Sequence, residues 1–245
     1  MLDYDDEARH YDVSRGGEPR ARAAADAVER LLPQGPCAVL DIACGTGIVT
    51  ERLRRPERTV VGVDRSPGML GLAARRLPGS VVRGDATALP FAPRTVDAVV
   101  IVWLLHLLPD PAPVLAEAAR VLRPGGVLIT TVDKNNAYFT EDSDIGEATA
   151  DLRRRYAPQA PDRSTWVLDR AAELGLSMAG RTVFPGTGQG RSPRRWREVI
   201  DAGDIPWCAH APQDRVADVR RRLAALPDQD MARPDPMYRL IALKS

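Results

Sequence analysis

The chain has 245 residues, of which 44% are hydrophobic and 27% charged, with a formal net charge of +1. That is the balance of a globular chain able to bury a sizeable core. It excludes recruitment to nucleic acid or an anionic membrane through bulk charge. Cys37, Cys44 and Cys208 form no Cys-x-x-Cys pair, so neither a disulfide framework nor a zinc site is expected.

Arginine nearly replaces lysine, Lys134 and Lys244 being the only amines among the side chains. This reads as the coding bias of a GC-rich genome rather than as function. The stretch Met1–His10 is acidic and has no apolar centre, which argues against a signal peptide. No run approaches the ~18 apolar residues of a membrane span. The expectation is a cytoplasmic protein.

Ala, Val and Leu at helical spacing predict a helix over Pro19–Leu32, stopped by Pro33. A short apolar run, Ala38–Ala43, then reads as a strand entering a turn with Gly45 and Gly47, and Ile48–Arg54 as the helix that leaves it. Thr59–Asp64 is a second strand, Pro67–Leu77 a helix and Ser80–Arg83 a third strand. Val96–Leu104, the longest apolar run, reads as a central strand buried on both faces. A helix over Pro111–Leu122 ends at the turn signal Arg123-Pro124-Gly125-Gly126, ahead of a fifth strand at Val127–Val132. A helix at Ser164–Leu174 and strands at Ser177–Phe184 and Met237–Leu243 complete the pattern. The least regular stretches are Asp133–Asp162 and Pro185–Pro236.

Strands alternating with helices predict a parallel sheet covered on both faces. In such a sheet, ligands bind outside the carboxyl ends of the strands, near the point where strand order reverses. The turn after the first strand lies there. Gly45 and Gly47 would let backbone approach a ligand closely, and the next helix would offer free N–H groups. The same turn could equally be a tight connection without a ligand. Asp64, at the end of the second strand, can accept from both hydroxyls of a ribose. Asp85, after the third, can accept from an adenine amino group. Each carboxylate alone fits a cap or a solvated loop, but the three features share one register.

These segments resemble the class I methyltransferase superfamily, particularly its ubiquinone/menaquinone-biosynthesis branch. The resemblance is carried by VLDIACGTG (39–47), VVGVDRSPGML (60–70), GDATALPF (84–91), VDAVVIVWLLHLLPDP (96–111) and RVLRPGGVLITT (120–131), in family order. It implies a doubly wound, Rossmann-like sheet of seven mostly parallel strands with the last one antiparallel, and S-adenosyl-L-methionine as cofactor. Asp41, Gly45 and Gly47 would hold its methionyl end, with Ala43 standing where many members carry Gly. Asp64 would hold the ribose and Asp85 and Ala86 the adenine; Arg65 and Trp103 are counted with them. Tyr11-Asp12 and Arg15 resemble the family's Tyr-Asp-x-x-Arg segment, whose Tyr and Arg can reach the cofactor carboxylate, although Tyr11 could equally pack on the first helix. A dinucleotide site would want a third glycine where Thr50 stands.

Methyl transfer from a sulfonium needs alignment, dehydration and, for some acceptors, a base. His106, after the fourth strand, is the candidate base; it could instead cap the next helix or touch the cofactor. The resemblance divides the chain into an N-terminal lid (1–35), a cofactor-binding core (36–132), a substrate-side insert (133–162) and a helical cap (185–236). In the cap, Gly186-Thr187-Gly188-Gln189-Gly190 imitates a nucleotide loop but suits a hinge. Ser192-Pro193 opens a helix whose Arg194, Arg195 and Arg197 could meet an acidic substrate or only solvent. Trp196 and Trp207 could line an acceptor pocket or form the cap's own core. Asp133 and Asn135 are distantly similar to metal ligands of catechol-type methyltransferases, but the fourth strand ends in Val102-Trp103 without the partner carboxylate, so no metal is expected.

The expected function is methylation of O, N or C of a small molecule, a secondary metabolite, by a monomer or homodimer. Two alternatives stand beside it. A nucleic-acid methyltransferase would want an Asn/Asp-Pro-Pro-aromatic motif where Ile101-Val102-Trp103-Leu104 lies. A protein that keeps the cofactor without transferring methyl, for example a cyclase, would show the same binding residues.

Overall fold

The computed structural model describes residues 4–140 and 142–245; Met1–Asp3 of the acidic N-terminal stretch and Glu141 of the insert lie outside the described residues. One seven-stranded sheet contains β1 (Cys37–Ile42), β2 (Arg58–Asp64), β3 (Val81–Arg83), β4 (Val96–Ile101), β5 (Leu122–Val132), β6 (Ser177–Pro185) and β7 (Met237–Lys244). The strand order is β3-β2-β1-β4-β5-β7-β6. The pairs from β3 through β5 are parallel, and β7 runs antiparallel to both β5 and β6. Strand order reverses between β1 and β4, which opens a crevice at their carboxyl ends. Val39, Leu40 and Ile42 of β1 and Ala98–Ile101 of β4 are buried, as their unbroken apolar runs require.

The helices are α1 (Tyr4–Ser14), α2 (Gly17–Glu29), α3 (Pro67–Arg76), α4 (Ala112–Val121), α5 (Asp144–Tyr156), α6 (Ser164–Glu173), α7 (Pro193–Asp201), α8 (Pro206–Ala209) and α9 (Gln213–Ala225). On one face of the sheet, Ala21, Ala24, Ala27 and Val28 of α2 pack on Val39, Ala98 and Ile129. On the other, Leu115 and Ala118 of α4 and Val167 of α6 pack on Leu40, Val99 and Leu128. A third core joins α5, α7, α8 and α9 through Ile145, Leu152, Trp196, Val199, Trp207 and Leu223. Trp196 and Trp207 are therefore the cap's own core.

Several segments depart from the sequence reading. The helix expected over Ile48–Arg54 is only a 3-10 turn, Thr50–Leu53. Ile48, Val49 and Thr50 are consecutive β-branched residues, Thr50 spends its hydroxyl on Asp41, and Pro56 bars helix at Arg55. β4 ends at Ile101 rather than Leu104, because Trp103 takes a left-handed conformation (φ 60°). β5 begins at Leu122, so that Arg123-Pro124-Gly125-Gly126 forms an irregularity within the strand instead of a turn before it. The stretches read as least regular hold α5, α8 and α9. In α5, Ser143 accepts the Gly146 N–H as N-cap and Ile145, Ala148 and Leu152 form a buried stripe, a signal present in the sequence.

Candidate active site at the carboxyl edge of the sheet

The loop after β1 is built for close approach. Gly45 and Gly47 have φ of 56° and 75°, and Ala43 adopts φ 59° where glycine would be free of strain. A Cβ on Gly47 would lie 3.3 Å from the Ala73 Cα, so this glycine lets α3 pack against the loop. Asp12 of α1 ties the loop down from above, accepting from the Thr46 hydroxyl (2.6 Å) and pairing with Arg76 (2.8 Å).

A cavity of about 470 Å³ opens beside this loop, across the ends of β2, β3 and β4. Ala43, Gly45, Asp64, Arg65, Asp85 and Ala86 line it, together with Trp103 and, from α1, Tyr4 and Tyr11. Met69, Leu104, Leu107, Leu108 and Val114 supply apolar walls. The Asp64 carboxylate accepts from the Gly45 N–H (2.8 Å) and the Ser66 N–H (2.9 Å), one on each oxygen, which fixes its orientation. Asp85 accepts from the backbone and hydroxyl of Thr87 (2.8 and 2.7 Å), bonds that hold its carboxyl below the usual range.

Asp41, Gly47, Arg15 and His106 are not among the residues lining this cavity. Asp41 is 4% exposed beneath the loop and accepts from the Thr50 hydroxyl at 2.5 Å. Burial pushes its carboxyl up to about 7 against that hydrogen bond, with the charge of Asp64 acting in the same direction as burial. Arg15 is exposed, with its guanidinium 5.8 Å from the Tyr11 ring.

On the β5–β6 side the edge changes character. Trp103 donates its backbone N–H to the Thr131 hydroxyl (2.8 Å) and packs on Phe184 and Tyr238. The Arg20 guanidinium lies 3.4 Å from the centre of the Trp103 ring and donates to the Arg15 carbonyl at 2.9 Å. Arg20 is only 6% exposed, yet no carboxylate pairs with it among the described residues. The buried atoms Arg20 Nε, Trp103 Nε1 and His106 Nδ1 have no hydrogen-bond partner there. Burial, then the charges of Lys134, Arg20 and Arg15, depress His106 to about 3, leaving a neutral imidazole of low basicity. Burial and the charges of Arg20, Arg15 and Arg191 push the Lys134 amine down to about 8.

The remaining features of the cap and insert are committed locally. Arg194 pairs with Asp230, Arg195 with Glu198, and Arg197 donates to Gln229. The glycine-rich segment after β6 is held by Asp235, which accepts from Gly188 and Gly190 (3.1 and 2.7 Å). Asp133 accepts from the Ser164 N–H (3.1 Å) and faces Arg239 at 3.5 Å.

Asp64 is fixed by two backbone N–H groups, Asp85 and Ala86 stand where the β3 edge meets an apolar slot, and the loop offers close backbone approach. Residues 40–130 match the methyltransferase domain family. A demethylmenaquinone methyltransferase of Renibacterium salmoninarum is 41% identical over 133 residues, covering 51% of this chain and 55% of that protein. A trans-aconitate 2-methyltransferase of Methylobacterium nodulans is 36% identical over 168 residues, 67% of this chain and 58% of its own. The chain thus spans little more than half the length of these curated relatives. Among solved structures, the phosphoethanolamine N-methyltransferase 2 of Haemonchus contortus aligns with a TM-score of 0.56 at 19% identity, over 100% of this chain and 60% of that one.

Fold, loop and domain match make residues 40–130 a methyltransferase domain on the class I sheet, the class whose methyl donor is S-adenosylmethionine. Over this cofactor half the chain is similar to methyltransferases of the menaquinone-biosynthesis type.

Sequence reading missed Tyr4, Arg20 and Lys134. Arg20 had a signal: it shares one helical stripe with Ala24, Ala27 and Val28, an arginine on an otherwise apolar face. Lys134 had a weaker one, as an amine two residues after β5 in a chain whose other cations, Lys244 apart, are almost all arginines.

Proposed function

We propose that this chain transfers the methyl group of S-adenosylmethionine to O, N or C of a small molecule, a secondary metabolite. The observation that carries the reading is Asp64: a carboxylate at the end of β2, one strand from the switch point, oriented by two backbone N–H groups and facing a cavity of nucleoside size. S-adenosylmethionine supplies an activated methyl on a sulfonium. In this reading Asp64 accepts from the ribose hydroxyls, Asp85 and Ala86 receive the adenine edge, and Gly45 and Ala43 face the methionyl end. Asp41 supports the loop from beneath through Thr50. Tyr11 and Arg15, from the proposed lid (1–35), reach toward the methionyl carboxylate.

The insert (133–162) and the cap (185–236) would close the acceptor side and exclude water. For an acceptor with a free lone pair, alignment is sufficient chemistry. For one that must lose a proton, His106 is the proposed acceptor of that proton. Burial is the main cause of its low basicity and the three cations add to it, so a negatively charged ligand among them would return the smaller part.

The test is calorimetric titration with S-adenosylhomocysteine, alongside NADH. We expect micromolar binding of the thioether, none of NADH, and more than about a 100-fold loss in Asp64→Ala, which deletes charge-assisted hydrogen bonds to two hydroxyls. Equal binding in wild type and Asp64→Ala would refute the placement.

A further inference from the structure

The acceptor side of the crevice is a concentration of positive charge with almost nothing to balance it. Arg20 comes from α2, Lys134 follows β5, and Arg191 follows β6. All three stand on loops or helices at one sheet edge; Arg20 and Arg191 each rest on aromatic rings, and Lys134 lies within the field of both. Arg20 lies on Trp103 and 5.5 Å from the Tyr238 ring, while Arg191 lies 4.7 Å from the Tyr138 ring and 5.0 Å from Trp196. Arg20, Arg191 and Arg15 all act on the Lys134 amine, and Arg191, Arg20 and Arg15 on the Tyr138 phenol. None of the four cations forms an ion pair among the described residues.

Two carboxylates lie within reach of this field, and both are partly used. Asp162 accepts the backbone N–H of Lys134 (2.8 Å), and burial holds its carboxyl above the usual range. Asp235 accepts two N–H groups of the segment after β6. A buried guanidinium without a counter-charge is costly in the folded state, and the orphaned Arg20 Nε and Trp103 Nε1 add two unmet donors at the same place. Proteins retain such an arrangement where a ligand completes it.

The cofactor does not complete it. S-adenosylmethionine has one carboxylate against an ammonium and a sulfonium, so it brings net positive charge to the edge. Its carboxylate can answer Arg15 or Arg20 and still leave Lys134 and Arg191 uncompensated. We infer that the methyl acceptor carries an oxyanion, a carboxylate or a phosphate, held by Lys134 and Arg191 against the Arg20–Trp103 stack. The inference rests on the methyl-transfer reading above and narrows its acceptor to an acid. The same oxyanion would draw the acceptor toward the sulfonium through attraction between opposite charges.

The experiment uses the full chain saturated with S-adenosylhomocysteine and titrated with trans-aconitate, with its uncharged trimethyl ester, and with phenyl phosphate. We expect at least one anion to bind and the ester not to. Lys134→Gln and Arg191→Gln should each weaken that anion at least tenfold while S-adenosylhomocysteine affinity and thermal midpoint stay close to wild type. Which anion binds assigns carboxylate or phosphate. If the ester binds as well as the acid, if neither anion binds the loaded protein, or if both variants keep full anion affinity, the inference is wrong. Should wild type fail to bind S-adenosylhomocysteine at all, the methyl-transfer reading itself falls.

Discussion

The two halves of the carboxyl edge treat charge in opposite ways. On the β1–β3 side the functional groups are carboxylates, and Asp64 and Asp85 are already satisfied by N–H and hydroxyl donors of their own loops. On the β5–β6 side they are cations without carboxylate partners, resting on aromatic rings. A site satisfied from within is preorganised and needs its ligand only for the remaining lone pairs. A site left unbalanced stores a demand that only a ligand of the right charge removes.

Asp41 is the largest test of that contrast, because it is the one carboxylate of the cofactor side that breaks the pattern. Its folded value near 7 lies above that of an unfolded aspartate, so the native state holds a proton that the unfolded chain has lost between about pH 4 and 7. Stability from this group is therefore full below pH 4 and falls as pH rises through 7. Asp41→Asn should stabilise the protein by about 2–4 kcal/mol at pH 8 and have no such effect near pH 4. Denaturant titrations at the two pH values measure it. A variant less stable than wild type at pH 8 would place Asp41 with the satisfied carboxylates.

A smaller effect sharpens the cationic side. Lys134, down to about 8 under burial and the charges of Arg20, Arg15 and Arg191, and opposed by Asp162, loses its proton just above neutrality. An anion bound beside it favours the protonated form, so anion affinity should be constant below about pH 7 and fall roughly tenfold between pH 8 and 9. In Lys134→Gln that slope should vanish. A slope that persists would move the titration to another group.

The smallest expected change is in the cofactor loop. Ala43→Gly removes a left-handed alanine at a gain offset in part by unfolded-chain entropy, for a net stabilisation of about 0.5–1 kcal/mol. A rise of a few degrees in thermal midpoint would register it, and a fall would mean that the Ala43 methyl is needed against the cavity wall.

This contrast also decided what could be read before any coordinates. The cofactor half is local: Asp41, Gly45, Asp64 and Asp85 sit at fixed offsets from strand ends, so pattern and motif place them together. β1, β2, β4, β5 and β7 announce themselves as apolar runs in the same way. The cationic half is assembled from α2, β5, β6 and β7, segments far apart in sequence that only the folded sheet joins. Arg20 stands out in sequence only as an arginine on an apolar stripe, and its place in the site emerges once Trp103 is known to lie beneath it. The failed helix at Ile48–Arg54 shows the reverse case, in which the expectation of a helix after the glycine turn passed over three β-branched residues that locally resist it. α5 and α9 were overlooked because their charged faces hid narrow buried stripes.

The placement of β7 between β5 and β6 has a consequence for synthesis. Both flanking strands leave the ribosome before the strand that separates them, and each must wait with an open edge. A chain halted before Met237 would expose the unpaired backbone edge of β5 to a parallel partner, β6 or a strand of another nascent chain. The segment from α7 to α9 is made during that interval. Whatever else it does, its folding occupies the time in which the half-finished sheet is open to mispairing.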